Sequence, residues 1–390
     1  MSLFQSRPIA QRRAVCHAGG LALSTSLLSG CGVMPWTSSG RATPPPPPAA
    51  RGSVVLRKRW SADFPGAVNV VPTLTESGLW VASATGRLAL VDPQSGAVRW
   101  SVQTERSVTA GVGALGSFAV VATSDGSLLA YDAQGKRLWR AELGAEAVTV
   151  PTVTEQGVYV RCSDRRTLAF DRRTGRRIWS LSRSAPNLVL RQTTGITALD
   201  SRLFLGFPGG RLAAVDALGG AQIWETAVAV PRGSNEIERI ADVVGWPSVV
   251  QQDVCAVAFQ GRLACFETAT GRMLWSRELS SSMGLAGSAS VLAVADEKGH
   301  IHAFSRSGAS LWRQTALAGR SPSAPVVSGA RMLISDVDGL LYAIALDDGA
   351  IEARVTTDGR PASGAPIQSG DRVWLQTRGG ALHAFAIEPV

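Results

Sequence analysis

An all-β fold, a closed ring of eight four-stranded antiparallel sheets, is predicted by three observations. A pattern with a period of about forty residues recurs from residue 54 to the end, the signature of a solenoid or propeller. Each complete copy places a Trp four residues after a turn Gly. The last copy stops before its Trp strand, while an unclaimed Trp strand stands at the beginning. Composition agrees: charged residues are 18% and hydrophobic residues 45% of the 390, which excludes a disordered acidic chain and a coiled coil. No uncharged apolar run of about 18 residues occurs beyond the N-terminal region, which excludes a polytopic helical membrane protein. The net charge is +9, with Lys58, Lys136 and Lys298 the sole lysines. The arginines are scattered and form no stripe, so no nucleic-acid partner is expected.

The N-terminus reads as an address. Residues 1–13 carry Arg7, Arg12 and Arg13 and no acid, and residues 14–29 are mostly small or apolar. This is the charged, apolar and small-residue sequence of a secretory leader, assigned to residues 1–30. Leu28-Ser29-Gly30-Cys31 resembles the lipobox of bacterial lipoproteins. That resemblance implies acylation of Cys31 as the first mature residue, and Gly32, which is not Asp, implies delivery to the outer membrane. The Arg12-Arg13 pair raises a twin-arginine route, but its flanks fit that motif poorly. Residues 31–52, with the run Pro44 to Pro48, cannot build a core and read as an extended tether. The folded domain is expected over 53–390.

The repeats follow. Gly86-Arg-Leu-Ala-Leu-Val-Asp92 precedes Gly96 and Trp100, and Gly126-Ser-Leu-Leu-Ala-Tyr-Asp132 precedes Gly135 and Trp139. Thr167-Leu-Ala-Phe-Asp171 leads to Gly175 and Trp179, and Gly210-Arg-Leu-Ala-Ala-Val-Asp216 to Gly220 and Trp224. Gly261-Arg-Leu-Ala-Cys-Phe-Glu267 leads to Gly271 and Trp275, and Gly299-His-Ile-His-Ala-Phe304 to Gly308 and Trp312. The seventh copy carries Ala353 in place of Trp, and the eighth, Gly380-Ala-Leu-His-Ala-Phe-Ala386, ends the chain four residues later. The segment around Trp60 therefore completes the last sheet and closes an eight-bladed β-propeller, removing its worst free edges. Gly supplies positive φ in the tight turns, the Asp before each turn bonds the amides of its own loop, and the Trp packs one sheet on the next.

Two repeats are long. Trp-to-Trp spacings run 40, 39, 40, 45, 51 and 37. The extra residues follow Trp179 and Trp224, in connections from the last strand of one blade to the first of the next. Such connections leave a propeller on one side, so the two insertions are expected as neighbours on one rim. The first is Ser184-Ala-Pro-Asn-Leu-Val-Leu-Arg191, where an extended stretch would put Leu188 and Leu190 on one face. The second runs from Pro231 to Val243, where Ser234 and Asn235 ahead of Glu236, Ile237 and Arg239 read as a capped helical turn. Apolar anchors beside charges suit a protein interface; the bland alternative is that both loops plug the propeller mouth.

Chemistry is sparse. His300 and His302 lie two apart on a strand and share a face, a geometry open to metal, but no Cys or carboxylate stands at a metal-like spacing, so surface or inter-blade histidines and no metal are expected. No nucleophile elbow or phosphate loop occurs. Cys255 and Cys265 flank the turn at Gln260-Gly261 and are nearly opposite. They either form a disulfide or, with a one-residue register slip, point to different faces.

The repeat resembles the quinoprotein-like propeller family over residues 54–386. Quinoprotein dehydrogenases of that family hold their quinone against adjacent cysteines and a calcium ion. No two cysteines are adjacent here, so no cofactor and no enzyme activity are expected, with a quinone-dependent dehydrogenase as the alternative. The insertions carry a narrower resemblance. Pro186-Asn-Leu-Val-Leu-Arg191 and Arg232-Gly-Ser-Asn-Glu-Ile-Glu-Arg-Ile-Ala-Asp-Val243 look like the corresponding loops of the BamB family, propeller lipoproteins of the outer-membrane β-barrel assembly (BAM) machinery. The resemblance implies a non-catalytic scaffold at the periplasmic face of the outer membrane, docking on the periplasmic domains of BamA with other BAM subunits. It implies Leu188, Leu190, Arg191 and Asp242 as contacts, with Glu236 and Arg239 in the same rim. One departure is Val244, where the family pattern can have a second acid. Unfolded outer-membrane-protein strands are a further expected partner, added to blade edges. An envelope lipoprotein of this fold with a different partner is the remaining alternative.

Overall fold

The structure, a computed structural model, describes residues 43–64, 70–184, 186, 188–190 and 194–390. The expected leader, Cys31 and Arg191 lie outside the described residues. Among the described residues there is no helix, and all strands fall into eight four-stranded antiparallel sheets. Blade 1 is a meander of Thr73–Thr75, Gly78–Ala82, Arg87–Val91 and Val98–Gln103, and blades 2 to 7 repeat it. First strands of successive blades touch one another, so they line the axis and the fourth strands lie outside. The middle strands of blade 1 are buried almost throughout, while its fourth strand alternates exposed and half-buried residues. Middle strands are covered on both faces by neighbouring blades, which is why they read as continuous apolar runs and not as alternation.

The repeat signature is the glue between blades. The Trp139 indole donates to the Arg172 carbonyl of the next blade at 2.9 Å, and the same bond joins Trp100 to Ala133, Trp224 to Thr268 and Trp312 to Leu346. The indole lies flat on the next turn Gly: a Cβ at Gly175 would fall 2.6 Å from the Trp139 ring. Gly175 also has φ of 72°, so two independent constraints demand Gly there. The turn Asp does what its position predicts: Asp92 Oδ1 accepts the Gln94 and Ser95 amides, and Asp171 Oδ1 those of Arg173 and Thr174.

The ring closes through the N-terminal strand. Val54–Asp63 pairs antiparallel with Ala381–Pro389, from Val54↔Pro389 to Asp63↔Ala381, with a bulge between Lys58 and Trp60. Trp60 donates to Pro93 O and lies on Gly96 of blade 1, as its counterparts do elsewhere. Ala353 is explained by this seam. The turn that would receive a Trp from blade 7 does not exist in blade 8, whose fourth strand is the N-terminal strand. Val54 and Leu56 pack beside Ala353 instead.

The proline run expected in the tether is bound to the folded unit. Ala50 packs on the blade 7 core, Arg354 Nη1 donates to the Pro47 and Pro48 carbonyls, and Arg51 N bonds Ile351 O at 3.0 Å. The buried Arg320, paired with Asp336 and Asp338, also donates to Pro45 O. A polyproline segment leaves its carbonyls free, and the buried Arg320 and the exposed Arg354 take them. Pro44–Arg51 is therefore a strap against blade 7, and the folded unit starts at Pro44, not Ser53.

The cysteine question is decided by register. Cys255 faces Cys265 directly, their Cα atoms 4.0 Å apart, and they form a buried disulfide within blade 5. Cys162 is free and buried, and burial pushes its thiol up to about 12, where it is inert.

Candidate functional site

In an antiparallel four-stranded blade, the turn between strands two and three and the exit from strand four lie on the same side. The bonds agree: Thr104 N reaches Gly86 O, and Val228 N reaches Gly210 O. The two insertions follow the outer strands Arg177–Ser182 and Gln222–Ala227 and leave on that side.

They are joined. Asp242 is buried, and its two carboxylate oxygens accept the Leu190 amide at 2.7 Å and the Gly209 amide at 2.9 Å. Thr194 Oγ1 donates to Val243 O at 2.6 Å, and Gly195 N to Gly245 O at 3.0 Å, completing a short parallel contact between the two connections. The first insertion is fixed from below as well. Arg161 and Arg183 stack on Phe207, 4.9 and 4.5 Å from its centre, and Arg161 donates to Thr194 O. Burial, and then the charge of Arg183, hold Arg161 down to about 10, still cationic at neutral pH. Arg183 in turn pairs with Glu225, which also takes Arg211 at 2.8 Å, and these residues line a groove of about 720 Å³ beside Pro186 and Pro208.

The second insertion makes the capped turn its sequence predicts, as a single α-turn and not a helix. Asn235 Oδ1 accepts the Glu238 amide at 2.9 Å, and the Glu238 carboxylate returns to the Ser234 amide at 2.8 Å. This resembles a capping box, with the return bond taken by the residue before the N-cap. Arg239 N closes the turn on Asn235 O, and Arg239 Nε donates to Gly233 O.

The expected contact residues therefore divide. Leu188 is exposed, at 40%. Leu190 turns inward onto the core cluster of blades 5 and 6, so the two leucines do not share an exposed face. The physical reason is Asp242, which captures the Leu190 amide and ends any extended run. Asp242 itself is 5% exposed with both oxygens engaged, so it presents no acid to a partner and acts on the loop. Val244, which stands where the resembled pattern can have a second acid, is buried. Glu236 and Arg239 are exposed beside Ile237, at 66%. Val230 adds a further exposed apolar side chain, at 54%. Ile237 and Val230 were missed by the sequence reading; the usable signal was an aliphatic residue in the middle of a polar, capped turn.

The histidines also depart from expectation. Asp296 Oδ2 lies 2.9 Å from His300 Nδ1 and 3.0 Å from His302 Nε2, so a carboxylate does accompany them. It was overlooked because the hairpin turn, not sequence spacing, folds it back.

Comparison with known proteins gives one family. The sequence profile of the family described as "Outer membrane protein assembly factor BamB" matches residues 84–307 and 297–388. The protein of that name from Bordetella pertussis is 32% identical over 382 residues, 97% of each chain. Its Burkholderia pseudomallei counterpart is 32% identical, covering 90% of this chain and 93% of the relative. The crystal structure of BamB from Moraxella catarrhalis superposes with a TM-score of 0.77 at 28% identity, over 85% of this chain and 99% of that one. A quinohemoprotein alcohol dehydrogenase from Comamonas testosteroni is similar at 11% identity and a TM-score of 0.63, over 86% of this chain and 76% of that one, a likeness of fold alone. With its eight closed blades and its matches along nearly the whole chain, this protein belongs to the BamB family of outer membrane protein assembly factors.

Proposed function

We propose that this chain is a non-catalytic scaffold of the outer-membrane protein assembly machinery, holding the periplasmic domains of BamA through the rim built by its two insertions. The observation that carries the reading is the Asp242 clamp: it fixes the insertions to each other while Leu188, Val230 and Ile237 remain exposed, Ile237 flanked along the chain by the exposed charges Glu236 and Arg239. Exposed aliphatic anchors ringed by charges, on a preorganised support, are what a protein interface needs. Arg191, beside the clamp in sequence, is assigned to the charged rim.

In this reading the chain is anchored by acylated Cys31 to the inner leaflet of the outer membrane. The strap supports a definite approach: Pro45 lies against Gly319 and Arg320, in a connection on the insertion side. No catalytic step and no cofactor are assigned. The disulfide pair Cys255 and Cys265 sits on two strands inside a blade and not as adjacent residues. Outer strands remain available to receive client strands by edge pairing.

The test is co-purification of BamA with the full lipoprotein from solubilised membranes, comparing wild type with Ile237→Glu, Leu188→Glu and Arg191→Glu. Loss of BamA from the variants is expected. Undiminished complex in all three would reject this rim, and a different captured subunit would favour an envelope scaffold with another partner.

A further inference from the structure

We propose that Asp296, His300 and His302 form a binding site for a divalent transition-metal ion of the zinc class, on the hairpin turn between the second and third strands of blade 6. These strands are Val291–Ala295 and Ile301–Ser305, and the turn lies on the same side as the two insertions. One carboxylate oxygen is committed to structure: Asp296 Oδ1 accepts the Lys298 amide at 2.9 Å and the His300 amide at 2.8 Å. The other, Oδ2, is aimed between His300 Nδ1 and His302 Nε2. The three ligand atoms all lie within 4.8 Å of one another, on side chains that are 14 to 17% exposed. His302 is held by parallel stacking on Phe304, with 7° between the ring planes.

One atom of this cluster, His300 Nδ1, is asked to serve two partners at once. Arg313 Nη2 stands 2.6 Å from His300 Nδ1, the same nitrogen that meets Asp296 Oδ2. If Nδ1 carries a proton for Asp296, it opposes the guanidinium N–H. If it is bare, it accepts from Arg313 and its lone pair opposes the carboxylate. A divalent ion removes the conflict: it accepts lone pairs from Nδ1, Nε2 and Oδ2 together, and the exposed Arg313 side chain swings into solvent. Any proton held by the rings is released to water. Tetrahedral zinc with ligands at about 2.0–2.1 Å needs ligand atoms about 3.3 Å apart, so the two carboxylate–imidazole separations of 2.9 and 3.0 Å would open slightly. Two imidazoles with one carboxylate select this class over calcium or magnesium, which take oxygen sets. Three protein ligands leave a fourth position for water or a partner's side chain. The amides on Oδ1 are the outer support such sites require.

The experiment titrates chelator-stripped, full processed chain with zinc alone, against a chromophoric competitor, and reads thermal unfolding with and without zinc. Wild type is expected to bind one equivalent and to unfold at higher temperature with zinc present. Asp296→Asn and His302→Gln are expected to lose at least about tenfold in affinity, as ligand and support losses do. Arg313→Ala, which removes an exposed competing charge and leaves the ligands intact, is expected to bind about tenfold tighter. No saturable equivalent in wild type would overturn the proposal. So would binding unchanged in Asp296→Asn and His302→Gln, or affinity unchanged in Arg313→Ala.

Discussion

The Leu190 amide donates to Asp242 Oδ2 at 2.7 Å across 52 residues of sequence, and with the Thr194–Val243 and Gly195–Gly245 bonds it joins two separate insertions. Its second oxygen takes the Gly209 amide of the neighbouring turn. Asp242→Ala leaves two amides without an acceptor, at a cost of about 1–3 kcal/mol. The expected outcome is a modest fall in the unfolding midpoint with a larger loss of partner binding, measured side by side by thermal melts and co-purification. Binding at wild-type strength in a folded Asp242→Ala protein would separate the clamp from the docking surface.

Leu188 and Ile237 are exposed and belong to none of the buried core clusters. Leu188→Ala and Ile237→Ala should leave stability within about 0.5 kcal/mol. Each should cost about 1 kcal/mol or more in affinity for the BamA periplasmic domains, if these are interface anchors. Isothermal titration and chemical denaturation check both halves.

The Trp–Gly contacts set the stability of the ring. Gly220 has φ of 73°, and a Cβ there would fall 2.7 Å from the Trp179 ring. Gly220→Ala is expected to destabilise by about 1–3 kcal/mol through strain and overpacking, and Trp139→Ala by about 3–5 kcal/mol. Ala353→Trp, which restores the repeat in sequence, should destabilise too, because Val54 and Leu56 already fill that place. Denaturant midpoints decide it; a stabilised Ala353→Trp protein would refute this account of the seam.

His383 links ring closure to acidity. It lies opposite Ser61 across the seam, with Ser61 Oγ 2.9 Å from Nδ1. Burial, with a smaller push from Lys58, lowers its pKa from 6.5 to about 4. The unfolded chain therefore binds the proton more readily than the folded one between these values. Stability from this group is complete above about pH 6.5, falls as pH drops toward 4, and levels off below, a loss of about 3 kcal/mol at most. His383→Gln should flatten the stability profile between pH 6.5 and 4, read by denaturant titration at each pH.

The Cys255–Cys265 disulfide is fully enclosed. Reductant should leave it intact in the native protein and cleave it once denaturant opens blade 5, as followed by alkylation and mass measurement. Closing so short a loop, it contributes about 2–3 kcal/mol in the chain-entropy account. Reduction without denaturant would mean that blade 5 opens locally.

The sequence by itself determined the eight blades, the closing strand and the two long connections. These are repeated local features: the turn Gly, the Asp that bonds its own loop, and the Trp that needs a flat glycine to rest on. Periodicity exposes them because each blade solves the same packing problem. Tertiary structure alone decided which insertion residues face solvent, because Leu190, Asp242 and Gly209 meet only when three distant segments fold together. It likewise decided that Pro44–Arg51 lies on blade 7, that Cys255 and Cys265 share a register, and that Asp296 reaches two histidines. Each is a contact between groups whose spacing along the chain carries no period, so no local pattern could encode it.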